Sequence, residues 1–388
     1  MSQLSILRSN RQFQTIALTQ TLTVFGSNLL IPVLPVFLKL QGFSDTKIGI
    51  LMGITALGAL IVRPWCGRTV DKQGSRPVLL FGQTLTAIGI GAYFWSTSFL
   101  PLLLLRFFQG IAQAFYGTAA VTFASSVETP ANTAGAIALY TVFTMIGMSL
   151  ATSSAPFIFG SIGFHNLLGL GLAMIVAGIG IMLIRGKAIP PVAGGLRVPF
   201  MDVLKSREVA APAVCLFASN FSCVTAFTFV PLIALSLAIP FSSFFIGFMV
   251  AVVSARLLVN SLTAYAGPVS LATSSSLLNI LGVVLVAVYT TPVTLAVAGC
   301  LIGIGFGLIF PLLAVYVVQH TSPANKGAAL SIITGAGDVG NALGASVLGV
   351  VAEFFGYRAL FLASGAVVLL CTWYFYNSLK SAAAEIEP

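Results

Sequence analysis

The chain has 388 residues, 58% of them hydrophobic and 7% charged, with a mean hydropathy of +1.04. No water-soluble domain of this length can bury so much apolar side chain, so soluble enzymes and soluble binding modules are excluded. The formal net charge of +9 would suit a nucleic-acid partner, but its distribution along the chain argues against one.

Apolar runs near twenty residues mark bilayer-spanning helices. Twelve are expected, at 13–38, 45–66, 77–96, 99–123, 131–157, 165–184, 209–235, 242–264, 269–289, 292–318, 325–351 and 358–379. The first is too long for the apolar part of a cleaved signal and has no small-residue cleavage pattern after it. With the N-terminus inside, Arg8, Arg11, Arg68, Lys72, Arg76, Arg185, Lys187, Arg197, Lys205, Arg207, Lys326 and Lys380 are cytoplasmic, and Lys39, Lys47 and Arg358 are outside. Basic residues gather on the cytoplasmic side of membrane proteins, so both termini are expected there. The charge is topological and calls for a lipid bilayer, not a nucleic acid.

In the first span Gln20, Thr23 and Ser27 recur at helical spacing, with Asn28 beside them as a candidate solute contact, followed by Pro32 and Pro35. The span holds no acid. A polar island, Gly67 to Pro77, separates the second span from the third. The positive-inside tendency accounts for its Lys and Arg, but not for Gly67, Asp71 and Gly74 at their spacing. The pattern G-x-x-x-D-x-x-G-x-R, ending on Arg76, resembles the loop between the second and third helices of the major facilitator superfamily. The resemblance implies twelve helices in two pseudo-symmetric six-helix bundles. It also implies a conformational latch at Gly67, Asp71, Gly74 and Arg76, with glycines that admit a neighbouring helix and a carboxylate facing a later helix N-terminus.

The fourth span carries Arg106, Gln109, Gln113 and Tyr116 at spacings of three and four, a polar stripe on one helical face. Arg106-Phe107-Phe108-Gln109-Gly110 resembles the family's R-x-x-Q-G signature, which implies proton coupling or solute contact; the alternative is static packing against carbonyls. In the fifth span, efflux branches of the family carry G-P-x-x-G-G. Here the run is Ala155-Pro156-Phe157-Ile158-Phe159-Gly160, in which the proline and last glycine alone match. The direction of transport is therefore left open by this motif.

The second half repeats the first at an offset of 193 residues. Arg63 maps to Arg256, Gly74 to Gly267, Thr129-Pro130-Ala131-Asn132 to Ser322-Pro323-Ala324-Asn325, Gly147 to Gly340, and Gly163-Phe164 to Gly356-Tyr357. Thr129 and Ser322 are good N-caps with proline next, so each is expected to start a helix. The expected division is 1–184 for one six-helix bundle, 185–208 for a cytoplasmic linker with several prolines and glycines, and 209–388 for the other. Repeats of this kind place a solute site at their interface.

Four charges fall inside expected spans: Arg63, Arg106, Arg256 and Asp338. Each is costly in a bilayer and so needs a reason. Asp338 is the one acid deep in a span. Ser331, Thr334, Asp338 and Asn341 share a face, and Gly337, Gly340 and Gly344 share another, suited to close helix packing. Asp338, with Thr334 and Asn341, is the candidate proton carrier or cation contact; the alternative is a static ion pair with Arg256 or Arg106. Arg63 and Arg256, at repeat-related positions nearer the inner surface where they can snorkel, are expected to gate or brace the bundle, ahead of binding solute.

Cys66, Cys215, Cys223, Cys300 and Cys371 lie in or at the ends of spans without paired spacing, which argues against disulfides or a metal site. No cofactor is expected. The absence of a G-x-x-x-x-G-K-[ST] run gives no support to direct ATP drive, and no nucleophile–base or H-E-x-x-H set suggests an enzyme. The reading is a secondary transporter, expected to be monomeric. It moves a small organic solute by alternating access in a bacterial inner membrane, with proton-coupled efflux ahead of import or passive facilitation.

Overall fold

The computed structural model describes residues 10–96, 98–127, 133–187, 200–322 and 325–384, and all regular structure among them is α-helical. In chain order the helices are α1 (Arg11–Asn28), α2 (Leu30–Leu40), α3 (Asp45–Gln73), α4 (Ser75–Ala92), α5 (Phe99–Ser126), α6 (Thr133–Arg185), α7 (Phe200–Lys205), α8 (Arg207–Ser236), α9 (Ser242–Thr263), α10 (Pro268–Val288), α11 (Pro292–His320) and α12 (Lys326–Ala384).

Local chemistry sets several ends. The Asn10 side chain accepts hydrogen bonds from the N–H groups of Gln12 and Phe13 and so caps α1. Thr291 and Thr294 cap each other's backbone at the start of α11, with Pro292 in its first turn. Both choices satisfy donors that a helix N-terminus leaves unpaired.

Among the described residues, nine helices are long and apolar enough to cross a membrane, taking α1 and α2 as one. Two of these are double. Helix α6 kinks at Gly163 (φ 77°, ψ 177°) and α12 at Gly356 (φ 79°, ψ 170°). Each kink separates two expected spans, and α4 is the remaining expected span. The twelve expected spans therefore all have a helical counterpart. The two kinks use the same backbone geometry 193 residues apart, where a side chain would be strained. The duplication holds in packing as well. A Cβ on Gly110 would strike the Thr55 carbonyl, and one on Gly303 would crowd that of Phe248, both members again shifted by 193.

Three expectations change. The polar island is not a loop: Gly67 to Gln73 are the last two turns of α3, and the break is the single residue Gly74 (φ 84°, ψ 161°). Nothing in 67–73 forbids helix, whereas Gly74 takes a left-handed φ that ends one helix and begins the next. Ser322 is not the N-cap of the eleventh span. Its carbonyl accepts from Asn325 N–H in a turn, and α12 starts at Lys326. Third, the expected linker contains the short helix α7; residues 188–199 of it lie outside the described residues, as do Thr129-Pro130-Ala131-Asn132, Pro323 and Ala324.

The chain divides into two compact units, one of residues 1–34 and 54–195, the other of 35–53 and 196–388. The first has a core of Phe13, Ile16, Leu79, Phe123, Tyr140 and Met182. The second has Val209, Leu312, Leu313, Ile333 and Phe375 buried together. Leu104, Ile184, Leu370 and Trp373 are exposed, as lipid-facing side chains of spanning helices are.

Candidate functional site

In the first unit the fourth-span stripe separates into three environments. Arg106 and Gln109 are buried together, three residues apart on α5. Arg106 Nη1 donates to Gln109 Oε1 at 3.1 Å, and Tyr93 Oη donates to the same oxygen at 3.0 Å. One amide oxygen thus anchors a guanidinium and a phenol, and the i, i+3 spacing makes this possible. Tyr116, two turns or more along, joins a different network. Its hydroxyl donates to Gln20 Oε1, while Gln20 Nε2 donates to Thr144 Oγ1 at 2.9 Å. Beside them Gln83 Nε2 donates to Thr23 Oγ1 at 2.8 Å. These bonds tie α1, α4, α5 and α6 together inside the unit. Gln113 is exposed and shares neither cluster. Asn28 ends α1 with its Nδ2 turned back on the Val24 carbonyl at 2.7 Å.

The latch residues are spread along the α3–α4 junction. Asp71 and Arg63 are exposed, and a Cβ on Gly67 would meet nothing within 4 Å. Arg76 does have a defined task. Its Nη2 donates to the carbonyls of Leu183 (3.1 Å) and Met182 (3.5 Å) at the end of α6. A cation there meets the negative end of the helix dipole and otherwise unpaired carbonyls.

In the second unit, α12 seats its glycine stripe against α8. A Cβ on Gly340 or Gly344 would collide with the carbonyl of Phe217 or Phe221, and one on Gly337 would press on Asn220 Nδ2 at 3.0 Å. Asp338, Thr334 and Asn341 lie on an adjacent face and are all half-buried. Asp338 is twelve residues past the start of α12, about 18 Å along it. Further along this face Ala345 meets Gly49, so the polar stripe ends in a close helix contact with α3. Thr334 returns its hydroxyl to the Leu330 carbonyl at 2.9 Å.

Arg256 is half-buried in α9, seven residues before the helix ends at Thr263. Its Cζ lies 5.9 Å from the centre of the Phe310 ring on α11. Among the described residues it enters no ion pair, and its buried Nε has no hydrogen-bond acceptor. The expected alternative of an Arg256–Asp338 ion pair is thus not realised. Placing an arginine in a span costs about 2.5–3.5 kcal/mol, while a cation–π contact returns roughly 0.5–2 kcal/mol.

Sequence reasoning missed a cluster of charges joining two turns. Lys39 pairs with Asp45 at 2.8 Å, Tyr357 Oη donates to the same carboxylate oxygen at 3.0 Å, and Glu353 accepts Thr46 N–H at 2.9 Å. A carboxylate from the end of one span thereby caps the start of α3. The Thr46 hydroxyl and N–H, then the Ser44 hydroxyl, hold the Glu353 carboxyl below its ordinary range. Its one advance signal was an acid at a span end, adjoining the repeated Gly356-Tyr357. Asn279 Oδ1 accepts from Ser222 Oγ at 2.7 Å.

Comparison with known proteins agrees with this architecture. The family model described as Major Facilitator Superfamily matches residues 16–268 and 213–386. The uncharacterized MFS-type transporter YhhS of Escherichia coli (strain K12) is 28% identical over 386 residues, covering 95% of this chain and 93% of its own. The staphylopine export protein of Staphylococcus aureus (strain Mu50 / ATCC 700699) is 23% identical, covering 90% of this chain and 92% of its own. The crystal structure of the nucleoside transporter NupG superposes with a TM-score of 0.74 at 17% identity, over 96% of this chain and 99% of its own; at that identity the likeness is one of fold. With a family model spanning nearly its whole length, the chain belongs to the Major Facilitator Superfamily and is a multi-pass membrane transporter.

Proposed function

We propose that this transporter exports a small organic solute from the cytoplasm of a bacterium in exchange for protons, with Asp338 as the proton carrier. The carrying observation is the half-buried carboxylate of Asp338, deep in α12 on a polar face adjacent to the glycine seam. A carboxylate there is costly unless it is neutralised by a proton, and taking up and releasing that proton is what coupling requires. The buried Arg106–Gln109–Tyr93 group is the second element of the reading, holding a fixed positive charge in the other unit. The halves are 1–184 and 209–388, joined by 185–208, with both termini in the cytoplasm and the monomer as the working form. Export is supported by a relative named as an export protein. Import or passive facilitation is the second reading, favoured by the fifth span, where Pro156 and Gly160 alone match the efflux pattern.

The test uses inside-out membrane vesicles energised to be acid inside and a panel of labelled organic acids, amines and sugars. Wild type should accumulate at least one solute against its gradient. Asp338→Asn should let the same solute equilibrate without accumulating. Undiminished accumulation by Asp338→Asn would remove Asp338 from the coupling step, and loss of solute from right-side-out vesicles in exchange for external protons distinguishes export from import.

A further inference from the structure

We infer that Arg256 and Phe310 form a subsite for an anionic solute with a flat apolar body, so that the cargo is an organic anion. The inference rests on the transporter reading and names the substrate class for it. Among the described residues Arg256 enters no ion pair, and its buried Nε has no acceptor. The Arg256 Cζ lies over the Phe310 ring, 5.9 Å from its centre. That contact offsets only part of the cost of keeping the charge in the membrane. Snorkelling is limited too. Seven residues separate Arg256 from the end of α9, about 10 Å of helix, more than the side chain can span.

What remains is a guanidinium whose free donors match a carboxylate or phosphate, which arginine binds through two parallel hydrogen bonds. Phe310 beside it offers an apolar surface against which the body of the same molecule can pack. The helices beside this pair pack through apolar groups. Val252 and Ala255 on α9 meet Gly307 on α11, and Leu308 and Ile309 are buried. Among the described residues no acid pairs with Arg256, so a small cation finds no counter-charge on it. Gating through Arg256, as the repeat position had suggested, predicts no preference among solutes.

The experiment measures equilibrium binding and needs neither a gradient nor proton exchange. Purified full-length protein in detergent is melted with benzoate, with neutral benzamide and with cationic benzamidine. Benzoate should raise the melting temperature of wild type while benzamide and benzamidine do not. Arg256→Gln should weaken benzoate binding at least about tenfold, as loss of a charge-assisted pair does. Arg256→Lys should restore part of it, and Phe310→Leu should weaken it with the charge intact. Equal stabilisation of wild type and Arg256→Gln, a preference for benzamidine, or no response to benzoate overturns the inference. Should Arg256→Gln fail to fold, the wild-type ranking of the three probes and the Phe310→Leu variant decide. Anion preference is read from melting and coupling from solute accumulation, so failure of either leaves the other proposal standing.

Discussion

Tyr116 shows how a single side chain can belong to the scaffold while sharing a stripe with a candidate site. Its hydroxyl is used up on Gln20, which passes the connection to Thr144. Removing one partner of a buried hydrogen bond costs roughly 1–3 kcal/mol. Tyr116→Phe should accordingly lower the melting temperature measurably while leaving solute-driven proton movement at the wild-type level. Loss of coupling with unchanged stability would restore Tyr116 to the site. Arg76 belongs to the same class. It was legible as part of a family pattern, but its contact with the Leu183 and Met182 carbonyls was not, because those atoms lie more than a hundred residues away. Arg76→Gln should destabilise by roughly 0.3–2 kcal/mol, the range for a cation at a helix C-terminus, read as a drop in melting temperature that Arg76→Lys partly restores.

At the scale of elements, two glycines separate packing from motif. Gly340 lies in the α8–α12 seam where any Cβ meets the Phe217 carbonyl. Gly340→Val should cost about 1–3 kcal/mol as overpacking does, or prevent assembly of the unit. Gly67 sits in a helix with open space around it, so Gly67→Ala should leave stability unchanged or raise it by roughly 0.5–1 kcal/mol. A large destabilisation by Gly67→Ala would show that the residue packs as the family pattern implies. The Lys39–Asp45–Tyr357 and Glu353–Thr46 contacts make a pH prediction. Glu353 has its carboxyl pKa lowered by hydrogen bonds made in the folded chain. Its contribution is therefore complete above the ordinary carboxylate range and disappears as pH falls through the lowered value. The stability difference between wild type and Glu353→Gln should shrink on acidification and be flat above neutrality. A difference that grows with acid would contradict the contact.

For the molecule as a whole, the parts legible in the sequence are those the bilayer forces to be local. Spans declare themselves by length and apolarity because a lipid-embedded backbone must satisfy its own hydrogen bonds. The duplication was readable because Gly163 and Gly356 must be glycine for the same backbone reason. Bonds between distant turns, such as Thr46 to Glu353, were not readable, since either partner alone looks like an ordinary surface residue. The polar island reads as a loop because charge suggests a break, whereas a helix can carry charge beyond the bilayer edge. The R-x-x-Q spacing puts Arg106 and Gln109 on one helical face, where they bond, but it does not reveal that Gln113 is exposed or that, among the described residues, Arg256 has no ion pair.

The most direct test of the central claim uses purified protein reconstituted into liposomes with an imposed pH gradient and a solute identified by the vesicle panel. Uphill solute movement and counterflow are followed in wild type and Asp338→Asn. Proton exchange at Asp338 predicts that the variant keeps counterflow but moves nothing uphill. Uphill movement in Asp338→Asn at the wild-type rate would contradict it.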